Sequence, residues 1–345
     1  MGIENEERPA DLAIKPVVGI TVGDPAGVGP EIVLKAAADP SVKSAVRPVL
    51  IGDLAFLQRT AKSLDLPVGL RTMDPAGPTE AVEVYDLANI RSDIEPGIES
   101  AAAGRAAGEY ITTAVDLWRG GTIDAIATAP INKASLQQGG YDFPGHTEFL
   151  AELTDTRVFA MSFFAERLRV VLLSTHVSLR SAIDMVRTDA LVDLITFTDR
   201  ELSRLLGRPV KIAVAGLNPH ASEGGRFGGE EAAEIEPAVT KARAAGVNVS
   251  GPYSPDTIFL RGYKGEFDVV VACYHDQATI AVKSLSFGSS VNVTLGLPLI
   301  RTSVDHGTAF DIAGKGIAEE SSMKAAIRLA GELFTARSTV ATSNS

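Results

Sequence analysis

A single cysteine, Cys273, rules out an intrachain disulfide. It sits in the apolar run Asp268-Val-Val-Val-Ala-Cys-Tyr274, where a free thiol behaves as a small hydrophobe and reads as core. Apolar runs are short as well. None approaches the roughly 18 residues that a membrane-spanning helix needs, so no membrane partner is expected. Positive charge is in deficit, with 32 Lys and Arg against 43 Asp and Glu, a net of −11. That balance speaks against a partner held by neutralising a phosphate backbone, so nucleic acid is not expected. A local cluster of cations in a cleft can still attract a small anion. The leading segment Met1-Gly-Ile-Glu-Asn-Glu-Glu-Arg8 is acidic where a secretion signal would be basic and then apolar. It also has Glu6 where a myristoylation signal needs Ser or Thr, and a cytoplasmic location is expected.

What is present looks like an ordinary folded chain. Hydrophobic residues make up 45% and charged residues 22% of 345 positions, which predicts about two domains. Short β-branched runs at 17–22, 49–51, 123–128, 168–174, 210–215 and 269–272 read as strands buried on both faces. Between them, segments 31–38, 54–64, 101–118, 189–206, 230–245 and 321–335 have helix-forming compositions. The fold class is therefore α/β, with a largely parallel sheet expected in each domain. Residues 73–78 and 224–229 read as loops, and the polar tail after Ala336 is expected to fray.

The five histidines, His146, His176, His220, His275 and His306, all fall just after a strand or in a loop bearing Gly or Pro. For each alone, a structural or exposed imidazole is the simpler reading. As a set they suggest more. His176, His220 and His275 follow three predicted strands, whose carboxyl ends would bring three imidazoles together if the strands share a sheet. Three imidazoles and an open position suit a borderline divalent cation such as zinc. Their spacings, 44 and 55 residues, match no local zinc motif, so this reading depends on the fold.

Two further segments invite an anion. Ile20-Thr-Val-Gly-Asp-Pro-Ala-Gly-Val-Gly-Pro-Glu31 passes from a strand through three glycines into a helix start, where free N–H groups could face a phosphate or a ribose. It lacks the order of a dinucleotide fingerprint, and a plain strand-to-helix turn is the other reading. Lys283, Asn292 and Arg301 recur at nine-residue intervals in an apolar region read as sheet. A Lys and an Arg there suit a substrate phosphate; a salt bridge to a carboxylate is the alternative.

Gly23-Asp-Pro-Ala-Gly-Val-Gly-Pro-Glu31, Phe143-Pro-Gly-His-Thr-Glu148, Gly216-Leu-Asn-Pro-His-Ala-Ser-Glu-Gly-Gly225, Tyr274-His-Asp-Gln277 and the segment 292–316 together resemble the 4-hydroxythreonine-4-phosphate dehydrogenase (PdxA) family. The resemblance covers residues 17–316. The last segment also looks like the His-Gly-Ser-Ala-Pro-Asp-Ile-Ala-Gly-Lys-Gly adenosine loop of isocitrate and isopropylmalate dehydrogenases, with Thr308 for Ser and Phe310 for Pro. It implies two α/β/α domains, 1–138 plus 307–345 and 139–306, with an active site in the cleft between them at a homodimer interface. The implied metal ligands are His176, His220 and His275, one of them from the neighbouring subunit. The ion would be zinc, magnesium, manganese or cobalt. His146, Thr147, Lys283, Asn292 and Arg301 fall on substrate-binding positions. Gly296, His306, Gly307, Thr308 and Asp311 fall on the NAD or NADP site. Asp256, Asp276 and Lys283 are the candidates for proton transfer or substrate orientation.

The implied chemistry is oxidation with decarboxylation of 4-phosphooxy-L-threonine to 3-amino-2-oxopropyl phosphate, a step toward pyridoxal phosphate. The sequence departs from that branch at Gly23-Asp-Pro25 and Thr128-Ala-Pro-Ile-Asn-Lys133, which look like the branch acting on 4-phospho-D-threonate or 4-phospho-D-erythronate. A metal-dependent hydrolase or lyase without NAD is the reading from another class, and a non-catalytic sensor of sugar phosphates is a third.

Overall fold

Parallel strands buried on both faces need helices above and below, and the chain alternates accordingly. The computed structural model describes residues 15–74, 80–91, 93–286, 288 and 290–343. The strands are β1 (Val17–Thr21), β2 (Arg47–Gly52), β3 (Leu70–Thr72), β4 (Val82–Asp86), β5 (Ala125–Thr128), β6 (Ala160–Ala165), β7 (Leu168–Leu172), β8 (Ile212–Ala215), β9 (Val249–Tyr253), β10 (Val269–Ala272), β11 (Val291–Leu295) and β12 (Arg301–Ser303). The α-helices are α1 (Gly29–Ala38), α2 (Pro40–Ala45), α3 (Leu54–Ser63), α4 (Ala101–Arg119), α5 (Lys133–Gln138), α6 (His146–Leu153), α7 (Leu179–Asp184), α8 (Thr188–Leu206), α9 (Glu236–Ala244), α10 (Pro255–Tyr263), α11 (His275–Leu285) and α12 (Ser321–Ser343).

The α/β class holds, but the sheet is not split. All twelve described strands join one sheet in the order β3-β4-β2-β1-β5-β12-β11-β6-β7-β10-β8-β9. The six strands expected from composition are in place, and the pairs among them are parallel. The joint is antiparallel: β11 pairs in that sense with β12 and β6, and β6 with β7. The β6–β7 hairpin turns through Glu166 at φ +52, with Ala165 opposite Leu168. No Gly, Asn or Pro marks that turn, which is why the sequence does not announce it.

One buried cluster spans β1, β2, β5, β11, α1 and α12; a smaller one fills the space between β7, β8, β10 and helices α10 and α11. Cys273 is core as expected, its thiol pushed up to about 12 by burial. Helix α4 starts at Ser100, whose side chain accepts from Ala103 N–H. It seats α5 so closely that a Cβ on Gly104 would meet the Ser135 carbonyl at 1.6 Å. The polar tail does not fray after Ala336: α12 continues to Ser343. No Gly or Pro follows Ala336, Ser338 Oγ donates back to the Phe334 carbonyl, and Arg337 donates to the Pro298 carbonyl. Of the expected loop at 73–78, residues 75–78 lie outside the described residues. Among the described residues, no helix is long and apolar enough to cross a membrane.

Candidate active site

A cavity of about 740 Å³ opens beyond the carboxyl ends of β5, β7, β10 and β12, where α/β sheets place ligands. Its wall gathers residues far apart in sequence, among them His146, His176, His275, Lys283, Asn292 and Arg301.

Arg301 opens β12 and is 3% exposed. Its Nη2 and Nε donate to Thr128 Oγ1 at 2.9 and 3.3 Å, and its Nη1 to Thr294 Oγ1 at 3.1 Å. No carboxylate pairs with it among the described residues. Burial pushes the guanidinium down to about 10, partly opposed by the charge of Glu148. A buried cation left on hydroxyls alone is poised for an anion from outside. The salt-bridge alternative for Arg301 is thereby removed.

His146 begins α6, with Nε2 buried and unpartnered among the described residues. Burial, then the nearby Arg301 charge, hold its pKa well below 6.5, so the ring is a neutral hydrogen-bonding group. Thr147 lines the same wall, and Asn292 Oδ1 is a second buried acceptor without a partner among the described residues. Lys283 differs from expectation: it lies on helix α11, not in the sheet. His275, Thr279 and Lys283 are successive i, i+4 positions of that helix, and all three face the cavity. Thr279 was not singled out in the sequence, although that spacing between His275 and Lys283 could have found it.

Strands β7, β10 and β8 are adjacent and parallel, yet one chain gathers only two of the three candidate metal ligands. His176 and His275 have ring centroids 5.8 Å apart. His220 lies outside the cavity, in a tight turn with φ +53, edge-on to Phe227. Among the described residues no group of three His, Cys, Asp or Glu could hold an ion. The pair still fits a metal. His275 Nδ1 lies 2.9 Å from Asp276 Oδ1, and in the tautomer that donates from Nδ1 to this carboxylate the Nε2 lone pair is left for a cation. Asp276 thus orients a histidine and does not line the cavity. Asp256 also lies off the wall, in the first turn of α10, accepting from Ser254 Oγ.

The proposed cofactor positions divide. His306 and Gly307 line the cavity. Thr308 instead accepts Val28 N–H at 2.9 Å through its carbonyl. The glycine loop before α1 therefore packs on the 306–316 segment, and Pro25 and Gly27 of that loop, with Pro30 and Gly314, also line a second, smaller cavity of about 300 Å³. Gly296 turns at φ +96 against Val158 and Phe197, outside the cavity. Asp311 is exposed and off the cavity wall.

An α/β sheet whose strand ends present an unpaired buried guanidinium, two imidazoles and unsatisfied acceptors defines an enzyme of small anionic metabolites. The chain matches the family described as pyridoxal phosphate biosynthetic protein PdxA over residues 44–330. It is 46% identical over 328 or 329 residues to relatives that include the D-threonate 4-phosphate dehydrogenase of Cupriavidus necator, covering 93% of this chain and 98% of that protein. The 4-hydroxythreonine-4-phosphate dehydrogenase of Trichlorobacter lovleyi is 43% identical, covering 94% and 99%. The crystal structure of the Klebsiella pneumoniae 4-hydroxythreonine-4-phosphate dehydrogenase superposes with a TM-score of 0.86 at 43% identity, over 93% of this chain and all of that one. The chain belongs to the PdxA family.

Proposed function

We propose that this dehydrogenase oxidises the C3 hydroxyl of a phosphorylated four-carbon 3-hydroxy acid, with loss of carbon dioxide, using NAD or NADP and one divalent cation. The observation that carries the reading is Arg301, a buried guanidinium facing the cavity with only threonine hydroxyls as partners. Arg301, Lys283 and Asn292 would hold the phosphate, and His146 and Thr147 the polar groups near it. His176, His275 and a third imidazole would hold the cation, which would supply acidity to the C3 hydroxyl and a counter-charge for the enolate left by decarboxylation, and the nicotinamide would supply the hydride acceptor. His306 and Gly307 would meet that cofactor; Nδ1–H of His306 is spent on the Gly307 carbonyl at 3.0 Å, which leaves Nε2 free to accept. The third imidazole would be His220 of a second copy, in a homodimer whose active sites lie between lobes 1–138 plus 307–345 and 139–306.

The substrate reading is 4-phosphooxy-L-threonine, giving 3-amino-2-oxopropyl phosphate. A second reading, 4-phospho-D-threonate or 4-phospho-D-erythronate, is favoured by Asp24 and the 128–133 segment and by relatives named for D-threonate 4-phosphate. Side-by-side kcat/KM values for the three compounds, read as reduced nicotinamide formed with metal present, test both. Absence of turnover with all three would overturn the proposal. Turnover unchanged by a chelator would remove the metal from it.

A further inference from the structure

The 128–133 segment is singled out by sequence, yet the proposed function uses only the Thr128 hydroxyl. Beyond β5 the chain follows the cavity wall through Ala129, Pro130 and Ile131 to Lys133, the first residue of α5. Its backbone is tied at several points. Ala129 N–H donates to the Thr21 carbonyl at 3.2 Å, and Asp24 N–H to the Pro130 carbonyl at 2.9 Å. Asn132 caps α5 by accepting Ser135 N–H at 2.8 Å, and its amide donates to Glu99 at 3.0 Å. Asp24 beneath this loop is fully buried, and burial raises its pKa. Lys133 therefore projects from a fixed base. Its side chain has no ion pair or hydrogen bond among the described residues, and it lines the cavity.

Charge on the wall identifies what it faces. The cavity-lining cations among the described residues are Arg301, Lys283 and Lys133; the acids are Glu148 and Asp305, and Asp305 accepts from Ser290 Oγ. Lys283 and both imidazoles come from the β7 and β10 side. Lys133 comes from the β5 side, which is adjacent to β12 and to the His306–Gly307 turn that follows it. A substrate of the proposed class carries two anionic ends. With its phosphate on Arg301 and Lys283 and its middle at the imidazole pair, one anionic group and one unpaired cation remain.

We propose that Lys133 binds the substrate carboxylate and so selects acids over the corresponding alcohols. The inference rests on the proposed function and holds for either substrate reading, since both compounds carry the carboxylate. A charge-assisted contact of this kind corresponds to about a tenfold or greater preference.

The test is calorimetric binding of 4-phospho-D-erythronate and of D-erythritol 4-phosphate, in which CH₂OH replaces the carboxylate, to the metal-loaded protein without nicotinamide. The wild type is expected to prefer the acid about tenfold or more. Lys133→Met should erase the preference while leaving the alcohol's affinity within about twofold, and Lys133→Arg should keep most of it. A Lys133→Met protein that retains the preference, or loses affinity equally for both probes, would overturn the inference and leave the proposed function standing. A wild type that binds neither probe would overturn the inference, and one that also fails to bind 4-phosphooxy-L-threonine would sink the proposed function with it. Lys133 is exposed, and an unchanged melting temperature in each variant confirms that binding is read on folded protein.

Discussion

Replacing Arg301 by Met separates a residue kept for its ligand from one kept for the fold. Burial lowers this guanidinium from 12.5 to about 10, which at ~1.4 kcal/mol per pH unit makes the ligand-free fold roughly 3 kcal/mol less tolerant of the charge. Its three hydrogen bonds to Thr128 and Thr294 return about 1 kcal/mol each. The two nearly cancel, so ligand-free Arg301→Met should unfold within about 2 kcal/mol of the wild type, because Met refills the space without the charge. Binding should respond differently. Loss of a buried, forked partner for a phosphate costs about 3 kcal/mol, or roughly a hundredfold in affinity. At a concentration of 4-phospho-D-erythronate about 100 times the wild-type Kd, thermal unfolding should show a gain of ~2.7 kcal/mol in the wild type and ~0.4 kcal/mol in the variant. An undiminished ligand shift in the variant would refute the phosphate assignment. A ligand-free loss well above 3 kcal/mol would show that the arginine is a structural element.

His146 predicts a pH dependence of stability. Its folded pKa lies well below the unfolded value of 6.5, so the unfolded chain takes up the proton first. Its contribution is fully present above that unfolded value and is lost as pH falls through 6.5 toward the folded pKa, at up to ~1.4 kcal/mol per pH unit. His146→Gln should flatten the difference between urea midpoints at about pH 7.5 and 5.5, and an unchanged difference would contradict the burial argument. If His220 reaches the other subunit's site, inactive His176→Ala and His220→Ala proteins, refolded together, should recover about a quarter of wild-type activity, because half the dimers are mixed and each carries one intact site. No recovery would place all three histidines in one chain's site or remove His220 from it.

The strands legible in sequence were the ones covered by helices on both sides, where uninterrupted Val, Ile and Ala leave little ambiguity. The unexpected ones were β3, β4, β6 and β9, while β11 and β12 fall in the region around Asn292 and Arg301 read as sheet without being delimited, and the reasons are local. Strand β12 is three residues long and begins with a buried arginine, against any hydropathy pattern. Strand β9 contains Gly251-Pro252, residues that ordinarily mark an edge, which is where it lies. Joining both halves into one sheet depends on the antiparallel pairs around β11: β12 is its near neighbour in sequence, but β6 is a long-range partner that composition does not encode. At the site, His146, His176, His275, Lys283, Asn292 and Arg301 were named from sequence and do share a cavity. Thr279 carries no motif of its own, and Lys133, although it closes the 128–133 motif, was given no role from sequence; their places on the cavity wall emerge only when the ends of β5 and the face of α11 are set opposite each other.

The position of β12 bears on how the protein is made. Strands β1, β2, β4 and β5 are synthesised early, but the strand that closes β5, and helix α12 that packs on β1, β5 and α1, are translated last. During synthesis the first half must wait with an open sheet edge and an uncovered apolar face while the second half assembles. A nascent chain paused before Arg301 is thus a half-roofed intermediate, exposed to association through its bare edge.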